Sequence, residues 1–136
     1  MHAPKGATPA HSPARGLRRT WFPLSTQVQL ACHNAKDATA HLTGETPPKI
    51  EIKKLTFDEL KVLIEKTVEH LKGMSANAFE SAEDRKIEIP LQGTLVFESN
   101  GFQLLRDWSI PHFYFHVVTA YDILRNNGVE LASETI

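Results

Sequence analysis

Two histidines four residues apart, His112 and His116 in "SIPHFYFHVVTAYDILRNNG" (residues 109–128), and a lone cysteine, Cys32, are the side chains with the most chemistry to offer. Imidazole and thiolate both suit zinc, and imidazole also suits nickel or iron. On a helix, positions four apart set their Cβ atoms about 5–6 Å from each other, so two rings can converge on one ion. A catalytic zinc centre wants about three protein ligands and one open position, so the pair is incomplete without a donor from another element. It is not the His-Glu-x-x-His of zinc peptidases, because Phe113 stands where that glutamate would be. The competing reading is structural: partly buried histidines hydrogen-bonded to neighbours, and a cysteine acting as a small buried hydrophobe. Phe113, Tyr114, Phe115 and Tyr121 read as core packing rather than as a ligand wall.

Several elements must position these residues. From Trp21, "WFPLSTQVQLACHNAKDATAHLTG" reads as a helix, with Pro23 near its start and Leu24, Val28, Ala31, Ala35, Ala38 and Leu42 as its apolar stripe. Gly44, followed by Pro47 and Pro48, is its stop, and "ETPPKIEIKK" is an extended linker. "LTFDELKVLIEKTVEHLKG" is a second helix, capped by Thr56 with Glu59 three residues on and ended by Gly73. "MSANAFESAEDRK" reads as a loop or one short turn. In "KIEIPLQGTLVFES" the apolar period becomes two, with Gln92-Gly93 between the runs, which predicts a small β-hairpin that Pro90 keeps short. Ser99 or Asn100 opens the last helical region, Pro111 breaks or kinks it, and Gly128 ends it.

Residues 1–20, "MHAPKGATPAHSPARGLRRT", contain three prolines, two glycines, four Lys/Arg and no acid, and lack apolar periodicity. The expectation is a disordered tail before one domain at 21–132. The tail is basic enough to suggest an import peptide, but its prolines oppose the amphipathic helix that import needs. A net charge of -1 offers no global attraction to nucleic acid or anionic membranes, and neither is expected as a partner. No apolar run approaches the roughly 20 residues of a membrane helix. One cysteine excludes an internal disulfide framework and suits a reducing, cytoplasmic setting.

"FPLSTQVQLACHNAK" (22–36) and "IPHFYFHVVTAYDILRNNGVEL" (110–131) resemble a family of uncharacterised small proteins that belongs with the DinB/YfiT-like helical bundles. "GETPPK", "TFDEL", "EDRKIEIPL" and "GTLVF" fit its spacing. The resemblance implies a mainly α fold: an antiparallel four-helix bundle with a short hairpin before the last helix. Many such proteins hold a divalent metal on three histidines, one from the second helix and a His-x-x-x-His pair from the last. Some are thiol-dependent transferases, in which the metal activates a thiol sulfur. The resemblance places His112 and His116 on the pair and Cys32 at the remaining ligand, with His33 beside it. The implied site is Cys32 (or His33), His112 and His116 around zinc, nickel or iron, with Asp107 or Asp122 available to orient a ring.

Two departures stand out. A cysteine replaces a histidine, and the Pro-rich stretch stands where the bundle's first helix would be. The expectation is therefore a bundle of about three helices with an open apolar groove and a tendency to self-associate. Two functional classes follow: a metal-binding, enzyme-like bundle, and a non-catalytic bundle that binds a partner or small molecule. Substrate and reaction are not legible.

Overall fold

The computed structural model describes residues 13–94 and 96–128, with side chains from Trp21 onward. Helix α1 spans Pro13–Thr43. The helix start expected at Trp21 is thus corrected: residues 13–20, expected to be disordered, are helical, and the rest of the expected tail lies outside the described residues. Pro13 suits a first helical position, where its missing N–H is no loss. Once the apolar-striped part is helical, each further residue adds a hydrogen bond, and Arg15, Leu17, Arg18 and Arg19 are good helix formers. Pro23 is therefore inside the helix rather than at its start. At the other end Gly44 adopts φ +77°, and the Glu45 N–H donates to Ala40 O at 2.8 Å, the left-handed cap that the glycine predicts.

Helix α2 spans Phe57–Lys72. Its capping box is formed as predicted: Thr56 Oγ1 accepts from Glu59 N–H, and Glu59 Oε1 accepts from Thr56 N–H. Gly73 ends it at φ -80°, in the right-handed region, so its left-handed tolerance is not used. The stretch expected to hold at most one turn holds two 3-10 turns, Ala76–Phe79 and Ala82–Asp84. The second matters, because Ala82 is buried in the core with Leu42, Ile87 and Leu104.

Strands β1 (Ile87–Pro90) and β2 (Val96–Ser99) pair antiparallel, from Ile87↔Ser99 to Pro90↔Val96. Pro90 takes the last pair of the ladder, where a missing donor costs least. Ile87, Ile89 and Phe97 turn toward the core. Gly101, buried just after β2, is required by close approach: a Cβ there would stand 1.8 Å from Ala82 O.

The last rod starts at Asn100, whose side chain caps Gln103 N–H while the Gln103 side chain caps Asn100 N–H. It runs through α3 (Gly101–Gln103), a π-helical segment (Leu104–Ser109) and α4 (Ile110–Asn126). Pro111 was expected to break or kink this region. Instead, the helix continues, and the wide turn lies directly before it, with Ile110 N–H donating to Leu105 O. A proline ring crowds the carbonyl four residues back, here Asp107, and a widened turn is one way to make room. The antiparallel α1 and α4 form the main packing line, α2 lies against α1, and Leu104, fully buried, fixes the rod to the hairpin. The fold is mainly helical with a short hairpin before the last helix, as expected.

Candidate binding site

His116 projects from α4 toward α1, and its Nδ1–H donates to Gln27 Oε1 at 2.7 Å. Its pKa is held below the ordinary histidine range, first by burial and then by His112 nearby. The ring is therefore neutral near pH 7, with the lone pair on Nε2. His112, one turn earlier, is exposed and tied to its own helix: Nδ1–H donates to Trp108 O, and the ring lies 4.6 Å from the Trp108 ring. Trp108 in turn stacks on Phe97 at 4.8 Å, so His112 closes an aromatic row that begins in the hairpin.

Between α1, α2 and α4 lies an apolar cavity of about 310 Å³. Its walls include Val28 and Ala35 from α1, Val68 and Leu71 from α2, and Phe113 and Val117 from α4; Cys32, Gln27 and His116 also line it. Cys32 is buried. It also lines a second hollow of about 390 Å³ on the other side of the α1–α2 seam, bounded by the strap of residues 48–55. His33 faces that second cleft and not the cavity.

The structure thus brings Cys32 and His116 to one cavity and leaves His112 outside it, against Trp108. Both rings donate through Nδ1 to an oxygen and keep Nε2 available, the orientation metal-binding histidines usually have. The donor set stops short, however. Among the described residues no three His, Cys, Asp or Glu side chains gather closely enough to hold an ion. Asp107 pairs with Arg106 at 2.7 Å and orients neither ring. The residues present therefore do not fit a three-ligand centre.

Two residues that the sequence reading passed over organise the site. Gln27 holds His116, a contact across 89 positions that no local pattern announces. Gln29 is buried and binds the strap: its Nε2 donates to Lys53 O at 2.9 Å, and its Oε1 accepts from Lys53 N–H at 3.0 Å. Trp21 adds a third tie, with Nε1–H donating to Leu55 O at 3.0 Å. A glutamine beside the apolar stripe of α1 was the available signal for Gln29.

Helical rods that bury an apolar seam, with a hairpin set before the last of them, define a DinB-like bundle. A solved structure of a DinB family member protein from Shewanella denitrificans is similar, with 37% sequence identity and a TM-score of 0.70 over 82% of this chain. The chain spans 62% of the length of that neighbour's chain. The model of the domain of unknown function DUF1993 matches residues 2–134, and the chain belongs to that family. The match reaches well before residue 21, where the resemblance read from the sequence began. No curated protein matches the chain. Among the described residues no helix is long and apolar enough to cross a membrane.

Proposed function

We propose that this DUF1993 chain is a non-catalytic bundle that binds an apolar partner along the α1–α2–α4 groove, a second copy of itself being the first candidate. One observation carries the reading. The cavity is walled by apolar side chains of three helices, yet Ile64, Val68 and Val117 on its rim remain 43%, 42% and 37% exposed. A fully packed bundle seam would cover them, and an apolar surface left open at this scale favours association. Sedimentation over a range of concentrations tests it. Self-association that Val68→Lys and Val117→Lys each abolish supports the reading. A monomer at every concentration, with unchanged sedimentation in the variants, refutes it.

A second reading is that the chain binds divalent zinc, nickel or iron and is related to thiol-dependent transferases. The observation in its favour is that His112 and His116 both anchor Nδ1 and leave Nε2 free. His112 and His116 would be the residues to hold such an ion, and Cys32, the one cysteine of the chain, lines the cavity with His116. Metal content of protein purified and then loaded with zinc or nickel decides this. Stoichiometric metal lost in both His112→Ala and His116→Ala supports it, and metal-free protein after loading removes it.

A further inference from the structure

The second hollow, between α1, α2 and the strap, has a chemistry different from that of the groove. Its walls are apolar, built from Ile50, Leu55, Val62 and Leu63. Its rim is cationic: Lys36 comes from α1, Lys49 from the strap and Lys66 from α2. Two carboxylates, Glu51 and Glu59, also line it against four lysines, which leaves the lining net cationic. Glu51 pairs with Lys53 at 3.5 Å, and Glu59 accepts the Thr56 N–H of the capping box at 2.8 Å. Lys36, Lys49 and Lys66 have no carboxylate partner among the described residues. Ile50 and Val62 are 48% and 45% exposed, so the apolar walls open to water beneath the charged rim. The strap is a built wall rather than a loose loop, because Gln29 and Trp21 fix its backbone at Lys53 and Leu55. At about 390 Å³ the cleft falls within the usual volume of small-molecule sites, about 300–1,000 Å³.

We propose that this cleft binds an amphiphilic carboxylate, an anionic head at the lysine rim on an apolar chain lying against Ile50, Leu55, Val62 and Leu63. The three lysines come from three different walls, α1, the strap and α2. They act as point charges, without the planar fork with which arginine grips carboxylate or phosphate, so they hold a small anionic head by charge alone. Apolar contact supplies affinity, and the rim selects against the uncharged chain. The site shares only the Cys32 wall with the groove and does not depend on what fills the groove.

The test uses the full chain and three probes: octanoate, octanol and inorganic phosphate. Amide chemical shifts are followed by NMR. Octanoate is expected to give saturable shifts in the strap and in α2 from Val62 to Lys66. Octanol, with the chain but no charge, is expected to bind about tenfold more weakly, as is octanoate to the Lys36→Gln/Lys66→Gln double variant, the loss expected for two exposed charge contacts. Phosphate alone should not saturate, and added salt should weaken octanoate but not octanol. Equal affinity for octanoate and octanol overturns the proposal. So does undiminished octanoate binding by the double variant, an absence of saturable shifts, or shifts confined to Val28, Val117 and Ala120 of the groove.

Discussion

Gln29→Met measures how much of the architecture rests on one buried amide. The side chain keeps nearly the same length and volume, so what is lost is three hydrogen bonds: to Ser25 Oγ at 2.9 Å, to Lys53 O at 2.9 Å, and from Lys53 N–H at 3.0 Å. Each is worth about 1 kcal/mol net. Ser25 is only 2% exposed, but a helical serine can turn its hydroxyl back to a carbonyl of its own helix, which offsets part of its loss. Lys53 lies at the surface, where water recovers part of its backbone bonding. The net expectation is a loss of about 2 kcal/mol, or about 6–8 °C in Tm for a chain of this size. Urea unfolding monitored by circular dichroism reads this, and hydrogen exchange at the Lys53 amide reads the strap alone. Lys53→Ala is the control. It removes an exposed side chain but leaves both backbone bonds to Gln29, so it should stay within about 0.5 kcal/mol of the parent. If Gln29→Met is also within that margin, or Lys53→Ala costs as much, the strap is not held by this amide and the cleft loses its wall.

The remaining predictions concern the core and the histidine. Because the folded state depresses the pKa of His116, the unfolded chain takes up the proton more readily. Its contribution to stability is thus full above about pH 6.5 and is lost as the pH falls below that value. Urea midpoints between about pH 7.5 and 5 should fall less steeply in His116→Asn than in the parent. Gly101→Ala should destabilise by about 3 kcal/mol or more, because its methyl group meets the Ala82 carbonyl and the Leu42 side chain, both in the buried core; a near-normal urea midpoint would contradict the packing. Leu104→Ala, at a side chain with no exposure, should cost about 3 kcal/mol in the same assay, a large share of a small domain's stability.

The sequence revealed what local rules control. Thr56 with Glu59, Gly44 and the alternating Ile87 and Ile89 each carry their signal within a few residues, and the structure uses each as its local chemistry predicts. The start of α1 was misread because composition weighs prolines and charges but not helix propagation from a neighbouring segment. The turn around Ala82 was missed because its role is tertiary: alanine becomes core only when Gly101 lets the backbone come close. The site was half legible. Cys32 and His116, singled out by their side-chain chemistry, line one cavity, while His112 lies outside it against Trp108. Nothing local foretold that His112 would be claimed by Trp108, or that Gln27 and Gln29 would tie down elements 89 and 24 positions away.

The wide turn at Leu104–Ser109 has a consequence for the screw of the whole rod. One residue on a regular helix advances the azimuth by about 100°. A spare residue at this point lets Leu104 and Trp108 answer to the hairpin while Phe113 and His116 answer to α1, two headings that a uniform spiral would tie together. Excising a single residue there would leave the hairpin end seated and swing the far end by roughly 100°, carrying the imidazole of His116 away from Gln27. The two halves of this rod can therefore drift or be engineered in phase independently, with the bulge as the clutch between them.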